Sequence, residues 1–271
     1  MNSQNISFIG AGNMAQSLIN GLIEAGYDAG CLTAADPVAT QRSAISNLGA
    51  NAVEDNQRAI AGAGVVILAV KPQMLAVVLE PLTQERGQLI ISICAGVPIA
   101  SIAGWTSRRQ AIVRCMPNTP ALLRAGITAL HANAETDQNQ RETAQQILGA
   151  VGRTLWVDEE AALDAVTAIS GSGPAYFFYL MEAMVRAGEA LGLEPEVAAE
   201  LTIETAYGAA RMARETSTPP AILRVNVTSP GGTTEKALEV LDGHHTDRHI
   251  VDALKQAAQR ARELAIEFGR T

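Results

Sequence analysis

Ile6-Ser7-Phe8-Ile9-Gly10-Ala11-Gly12-Asn13-Met14-Ala15 is an apolar run that leads directly into a glycine-rich hexapeptide of the form G-x-G-x-x-A. In this pattern the first Gly makes a tight turn and the second leaves room for a pyrophosphate, while the final Ala lets the next helix pack on the strand. The hexapeptide follows a predicted strand and opens a predicted helix, as the dinucleotide-binding interpretation requires. The alternative is a strand–helix turn with a purely structural role.

Strand-like and helix-like stretches alternate from this hexapeptide to about Asp158. Short apolar runs predict strands at residues 6–9, 32–35, 65–70, 89–93, 111–114, 127–130 and 154–157. Amphipathic stretches between them predict helices, among them residues 14–25, 41–48 and 137–151. Strands that alternate with helices indicate parallel β-α-β units. We therefore predict an α/β fold class, with a Rossmann-type doubly wound sheet in a dinucleotide-binding domain over residues 1–158.

The pattern after Asp158 is helical throughout. Helices are predicted at residues 161–169, 174–191, 195–215, 233–241 and 246–268. The helix at 174–191 follows a stretch, Ser170-Gly171-Ser172-Gly173-Pro174, that predicts a flexible turn, and it is apolar on nearly every face. A helix that is hydrophobic all round needs partners on all sides. We therefore expect residues 159–271 to form an all-helical C-terminal dimerisation domain that also carries substrate-binding residues.

Composition excludes several classes of partner. The chain has 271 residues, a formal net charge of −8 and no basic tract, so we expect neither nucleic acid nor a membrane surface as partner. Its apolar runs are shorter than the roughly 20 residues that cross a bilayer, and its start lacks the pattern of a secretory signal. Three cysteines without metal-type spacing fit free thiols in a reducing cytosol, which predicts a cytoplasmic protein. His244, His245 and His249 also lack metal-type spacing, so no metal is expected.

Asp36 follows the second predicted strand, where an acidic side chain binds a ribose 2′-hydroxyl and repels a 2′-phosphate. This favours NAD(H). Pro37, however, could turn the carboxylate outward, and Arg42 is close enough in sequence to meet a phosphate. A third interpretation is that Asp36 only caps the next helix. The preference between NADH and NADPH therefore stays open at this point.

A second loop, Ser229-Pro230-Gly231-Gly232-Thr233-Thr234, predicts a turn that runs straight into a helix. The first amides of a helix have no partner inside the helix and lie at the positive end of its dipole, so they suit a small anion. A dinucleotide loop and an anion site in one chain together suggest a reductase that acts on a small acid.

Several motifs resemble those of pyrroline-5-carboxylate reductases. They are residues 10–15, Ala69-Val70-Lys71-Pro72, Arg114-Cys115-Met116-Pro117-Asn118-Thr119-Pro120, Ser170-Gly171-Ser172-Gly173-Pro174-Ala175-Tyr176 and the second loop. The match covers nearly the whole chain in order. The resemblance implies NAD(P)H-dependent reduction of 1-pyrroline-5-carboxylate to L-proline, the last step of proline biosynthesis. It also implies a homodimer joined through the helical domain, and it leaves open a higher oligomer built from dimers.

The resemblance further implies the site residues. Cofactor contacts fall on Ile9, Gly10, Ala11, Gly12, Asn13, Met14, Asn56, Ala69, Val70, Lys71, Pro72, Cys94, Ala95 and Gly96. Substrate contacts fall on Ser229, Gly232, Thr233 and Thr234, with Thr234 at the ring nitrogen. Asp36 departs from the family, which often carries Ser or Asn there to hold a 2′-phosphate. The expected cofactor is NADPH, and Asp36 leaves NADH open.

Hydride transfer to a cyclic imine makes modest demands on a protein, because the imine nitrogen can be protonated already when it binds. A hydroxyl that bonds the nitrogen is enough to orient the ring and relay a proton, and Thr234 is the predicted catalytic residue. Its alternative role is to cap the helix, which Thr233 could do instead.

One competing function is a β-hydroxyacid-dehydrogenase-like reductase. That reaction requires a Lys as acid/base on the helix at 174–191, and this helix has none. The other is a non-catalytic dinucleotide-binding protein, which would leave the second loop without a purpose.

Overall fold

The computed structural model describes residues 4–106 and 109–269 and divides them between two compact units. The first unit is Met1–Ser172 together with Ala257–Thr271, and the second is Gly173–Gln256. The predicted boundary at residue 158 marks the end of the strand pattern and stays a prediction for the domain division. No helix in the described part of the chain is long and apolar enough to span a membrane.

The first unit is built on one eight-stranded sheet with the order β3-β2-β1-β4-β5-β6-β7-β8. The strands are β1 Ile6–Ile9, β2 Leu32–Ala35, β3 Asn51–Val53, β4 Val65–Leu68, β5 Leu89–Ser92, β6 Ala111–Met116, β7 Gly126–Ala132 and β8 Gly152–Trp156. The first six strands are parallel and have the Rossmann order, so the predicted fold class is confirmed.

Two features of the sheet differ from the sequence prediction. Strand β3 was not predicted, since Asn51 is exposed and the strand is too short to produce an apolar pattern. Strands β6 and β7 pair antiparallel, not parallel. The chain between them holds only a short 3₁₀ turn, Thr119–Leu123, whereas a parallel return needs a crossover of about a dozen residues.

Helices cover the sheet on both faces. They are α1 Asn13–Glu24, α2 Ala39–Asn47, α3 Asn56–Ile60, α4 Leu75–Leu79, α5 Ile99–Trp105, α6 Gln138–Gly149 and α7 Ala162–Val166. The core forms two clusters, and strand β4 contributes to both: Val65 and Ile67 pack in one, Val66 and Leu68 in the other. A parallel strand covered by helices on both faces must be apolar at every position. This is why the apolar run at residues 65–70 predicted a strand so clearly.

The second unit is helical, as predicted. Its elements are α8 Gly173–Ala190, α9 Pro195–Thr216, α10 Pro220–Asn226, α11 Thr233–Gly243 and the start of α12 Thr246–Phe268. Helix α10 was not predicted. Helices α8 and α9 pack closely, because a Cβ built on Gly188 would lie 2.9 Å from the Cβ of Ala198. The end of α12 belongs to the first unit, where Phe268 joins the core cluster of Ile102.

The prediction of a flexible turn at residues 170–174 is wrong. A π-helical turn, Thr167–Gly171, continues α7, and the Ser172 amide donates to the Thr167 carbonyl at 2.8 Å. Helix α8 then begins at Gly173. Two glycines and two serines in one short stretch are typical of a loop. In the structure, however, the hydroxyl of Ser170 donates a hydrogen bond to the Val166 carbonyl one turn earlier, so the polar side chain has a partner within the helix.

An ion pair between a buried Arg and a partly exposed Glu ties three elements of the first unit together. Arg114 on β6 is 6% exposed, and its guanidinium donates to Glu160 Oε1 at 2.8 Å. The same carboxylate oxygen accepts the amide of Ile99, the first residue of α5, at 2.8 Å. Glu160 thus links β6, the start of α5 and the segment that leads into α7.

We expect Glu160→Gln to lower the free energy of unfolding by about 2–4 kcal/mol, because it leaves the Arg114 charge buried without its counter-charge. Urea unfolding at a fixed protein concentration measures the change. Glu135→Gln is the matched control, since it removes the partner of the exposed Arg109, and its effect is expected to be much smaller. Equal effects of the two substitutions would contradict the structural role of Glu160.

Candidate active site

The glycine-rich loop has the backbone geometry that a dinucleotide needs. Gly10 has φ +97°, and a Cβ at this position would lie 2.7 Å from the Ala69 carbonyl oxygen, so only Gly fits. Gly12 is the N-cap of α1 and has no side-chain cap, and a Cβ built on it would meet no atom within 4 Å among the described residues. The open space lies at the start of a helix, where a pyrophosphate is stabilised by unpaired amides and the helix dipole. The residues present therefore fit the predicted cofactor.

Asp36 is held against this loop by main-chain amides. Its Oδ2 accepts the Ala11 amide and its Oδ1 accepts the Val38 amide, both at 2.9 Å. The N-cap of α2 is Val38, so Asp36 does not cap that helix, and Pro37 does not turn its carboxylate away from the loop. The second lone pair of each oxygen remains able to accept a ribose hydroxyl.

The remaining predicted cofactor residues follow neighbouring strands of the sheet. Ala69, Val70, Lys71 and Pro72 follow β4, and residues 94–96 follow β5, while Asn56 opens α3 after β3. Because β3, β2, β1, β4 and β5 are parallel and adjacent, their carboxyl ends all lie at one edge of the sheet. Open α/β sheets bind ligands at this edge. The topology therefore brings the predicted set to a single cleft edge.

Cys94 can contact a ligand at this edge of the sheet only through its main-chain atoms. Its thiol is buried and donates to the carbonyls of Leu68 and Val70, at 3.5 and 3.2 Å. Burial raises the pKa of the Cys94 thiol to about 12, so it is neither an acid nor a nucleophile near neutral pH. Gly96 has φ +75°, and its Cα faces Leu264 on α12, which explains the choice of Gly there.

The second predicted loop lies in the second unit and opens α11. Gly231 has φ +73° and Gly232 is the N-cap, with no side-chain cap bond in the described structure. Thr233 and Thr234 are therefore the first two helical residues, whose amides have no acceptor within the helix. Neither threonine occupies the N-cap position, which weakens the capping interpretation of Thr234.

Two details of this loop were missed by the sequence reasoning. The amide of Gly232 donates to the Ser229 carbonyl at 3.0 Å, so it is already used within the turn. The carboxylate of Glu235 accepts the Gly231 amide at 2.8 Å. A Glu three residues after an N-cap is a common capping signal, and the sequence offered it here.

The described residues contain no group of three or more His, Cys, Asp and Glu side chains that could hold a metal ion. His244 and His245 lie between α11 and α12, and His249 lies in the first turn of α12.

Comparison with known proteins identifies the family. Residues 160–264 match the family described as "Pyrroline-5-carboxylate reductase dimerisation", and residues 5–96 match "NADP oxidoreductase coenzyme F420-dependent". The chain is 50% identical to a pyrroline-5-carboxylate reductase of Pseudomonas aeruginosa, over 99% of this chain and 100% of that protein. The chain belongs to the pyrroline-5-carboxylate reductase family. The resemblance found in the motifs is therefore confirmed.

Solved structures agree with this assignment. The pyrroline-5-carboxylate reductase of Coxiella burnetii is 42% identical and superimposes with a TM-score of 0.93, over 97% of this chain and 99% of that one. The pyrroline carboxylate reductase of Plasmodium falciparum, determined with NADP bound, is 26% identical with a TM-score of 0.86, over 98% and 99% of the two chains. Membership of this family favours the predicted reaction over the two competing functions.

Replacement of each loop glycine by Ala is expected to affect a different property of the protein, namely stability for Gly10→Ala and nucleotide binding for Gly12→Ala. Gly10→Ala combines a positive φ with a clash against Ala69, so it should cost at least about 2 kcal/mol of stability. Gly12→Ala fits the fold, since its φ is −70°. Its methyl group would fill the open space, so the Kd for the nucleotide should rise about tenfold or more.

Thermal unfolding and nucleotide titration of both variants separate the two effects. Unchanged nucleotide binding by Gly12→Ala would contradict the assignment of this space to the pyrophosphate.

Proposed function

We propose that this protein reduces 1-pyrroline-5-carboxylate to L-proline with a hydride from NAD(P)H, as the last step of proline biosynthesis. The observation that carries the proposal is the full-length match to the Pseudomonas aeruginosa reductase, at 50% identity. The geometry supports it independently, because one chain provides both an open glycine-rich loop and an uncapped helix start.

The substrate carboxylate is bound at the start of α11 in this proposal. The amides of Thr233 and Thr234 donate to it, and the Ser229 hydroxyl adds a third donor. Gly232 contributes mainly by allowing close approach, since its amide already bonds Ser229. Backbone amides at a helix start favour a carboxylate through both hydrogen bonds and the dipole, so an Arg side chain is not needed for this task.

Thr234 orients the ring for reduction. Its hydroxyl oxygen accepts a hydrogen bond from the protonated ring nitrogen, and after hydride transfer the hydroxyl can relay the second proton that this nitrogen takes up in the product. Bound NAD(P)H supplies the hydride, which goes to the imine carbon. The protein therefore contributes position and electrostatics, and it needs no strong general acid because the imine binds in its protonated form.

The cofactor proposed is NADPH, with NADH as a second substrate because of Asp36. Support for a nicotinamide dinucleotide comes from the family matched by residues 5–96 and from the NADP-bound Plasmodium falciparum relative. The carboxylate of Asp36 lies against the loop and leaves lone pairs for a ribose hydroxyl.

A homodimer through the helical unit is part of the proposal. Helix α8 exposes large apolar side chains on more than one face, with Phe177 64%, Phe178 63% and Tyr179 71% exposed in the isolated chain. Apolar patches of this kind mark interaction surfaces. The match of residues 160–264 to a dimerisation family supports a second copy of the chain as the partner. A higher oligomer built from dimers stays a further prediction.

The reaction and the role of Thr234 can be tested in one assay, which follows oxidation of NADPH or NADH with 1-pyrroline-5-carboxylate. The wild-type enzyme is expected to oxidise the nicotinamide cofactor only when the imine is present. Thr234→Ala should lower kcat/KM by about tenfold to a hundredfold, which is the loss of one hydrogen bond to a charged group in the transition state. Its Kd for the cofactor should not change.

Thr234→Ser keeps the hydroxyl and should restore most of the rate, and Thr233→Ala is the neighbouring control. Wild-type turnover by Thr234→Ala would remove Thr234 from the mechanism.

The dimer can be tested by placing a charge on α8. Phe178→Asp should convert the protein from a dimer to a monomer, because a carboxylate cannot be buried unpaired in an apolar interface. Light scattering after gel filtration measures the mass. Val77→Asp is the matched control, since Val77 is 66% exposed on α4 of the first unit, and it should leave the mass unchanged. A dimeric Phe178→Asp would exclude this face as the interface.

A further inference from the structure

Three charged side chains lie side by side at the edge of the sheet next to the glycine-rich loop. Ile9 of β1 pairs with Ala35 of β2, which pairs with Val53 of β3. Gly10, Asp36 and Glu54 therefore follow three neighbouring strands in one row. Arg42 on α2 lies between the two acidic residues and contacts both segments. In a dinucleotide fold this end of the cleft receives the ribose next to the adenine.

Asp36 has a fixed position in this cluster. Each of its carboxylate oxygens accepts a main-chain amide, one from Ala11 and one from Val38. Its own amide donates to the Val53 carbonyl at 3.1 Å. The carboxylate therefore cannot swing away from the ribose site to make room for another anion.

Arg42 is also held in place. Its Nη1 donates to the carbonyls of Asp36 and Pro37, both at 2.8 Å, which uses both hydrogens of that nitrogen. Its Nη2 lies 3.4 Å from Glu54 Oε2. The guanidinium is thus directed at the main chain and at Glu54, while the Asp36 carboxylate bonds main-chain amides. The cluster contains two carboxylates and one cation. The cluster as a whole carries an excess of negative charge.

We propose that Glu54 sets the cofactor preference of this enzyme, as a positioning residue that holds and neutralises Arg42. The inference rests on the proposed function, in which the glycine-rich loop binds NAD(P)H. With Glu54 present, the charge of Arg42 is largely neutralised and the cluster repels a 2′-phosphate, so NADPH binds less tightly than it would without Glu54 and NADH can compete with it. Removal of Glu54 leaves Nη1 of Arg42 bonded to the main chain but leaves its charge and its Nη2 free to act on a 2′-phosphate.

The size of the effect follows from simple electrostatics. One charge removed within a Debye length of a phosphate that carries nearly two charges changes its affinity by about threefold to tenfold at low salt. Glu54 is 73% exposed, so the effect should shrink as salt is added. Ligands without the 2′-phosphate should be almost unaffected.

The test measures binding rather than turnover. The full-length Glu54→Gln protein and the wild type are titrated by calorimetry with NADPH, NADH, adenosine 2′,5′-bisphosphate and 5′-AMP. We expect Glu54→Gln to bind NADPH and the bisphosphate about threefold to tenfold more tightly, with the Kd values of NADH and 5′-AMP unchanged. The same titrations at high salt should reduce the difference.

Two further variants isolate the cause. Glu24→Gln removes an equivalent charge, one paired with Arg124 at 2.8 Å, but at the opposite end of α1 from the loop, and it should change none of the four Kd values. In an Arg42→Gln background, Glu54→Gln should lose the part of its effect that acts through Arg42 and keep only the part due to direct repulsion between Glu54 and the phosphate.

The outcomes separate this inference from the proposed reaction. Equal shifts for NADPH and NADH, no shift in Glu54→Gln, or a full effect in the Arg42→Gln background would overturn the role of Glu54 while the reductase assay stands. A wild-type protein that binds both cofactors but does not reduce the imine would overturn the proposed reaction and leave the binding result valid. Failure to bind any of the four ligands would overturn both.

Discussion

The close approach of two main-chain segments at Gly10 is the constraint on which the nucleotide-binding unit depends. The Gly10 amide bonds the Ala35 carbonyl, and the Ala69 amide bonds the Ile9 carbonyl, both at 2.8 Å. A side chain at position 10 would occupy the place of the Ala69 carbonyl. Strands β1 and β4 lie at the centre of the sheet, where the strand order reverses direction, and ligand clefts open at such points. The tight packing at Gly10 and the open space at Gly12 therefore lie side by side at this point of the sheet.

Main-chain hydrogen bonds also determine how charge is arranged around this cleft. Asp36 accepts two main-chain amides and Arg42 donates to two main-chain carbonyls, all in the loop or in the turn that follows β2. The pair is thus part of the local structure as well as of the proposed ribose site. A substitution there acts on loop geometry and on electrostatics together, whereas Glu54 touches the cluster only through Arg42. This difference makes Glu54 the more informative position for cofactor preference.

The helical unit has a different basis for its stability. Many of its large apolar side chains are exposed in the isolated chain, among them Phe177, Tyr179 and Leu191. The first unit, by contrast, buries two complete apolar clusters against its sheet. Burial of apolar area is the main favourable contribution to folding, so the second unit is expected to gain much of its stability from a partner. Substrate binding at α11 would then depend on assembly, because the binding loop lies in this unit.

The sequence alone determined the parts of this protein that rest on local pattern. The apolar run at 65–70 required a covered central strand, the glycine spacing required a tight turn before α1, and the end-to-end motif match indicated the family. Strand β3, the antiparallel pairing of β6 with β7 and the π-helical turn before α8 were decided by tertiary structure. A short polar strand such as β3 has no apolar pattern by which the sequence could reveal it. The pairing direction of β6 and β7 depends on where the chain returns to the sheet. Ser and Gly residues adopt helical backbone conformations when the hydrogen-bonding groups of the Ser side chains find partners within the helix. The bonding of Asp36 to Ala11, and of Gly232 to Ser229, likewise required the folded backbone, since no spacing in the sequence encodes which amide reaches which oxygen.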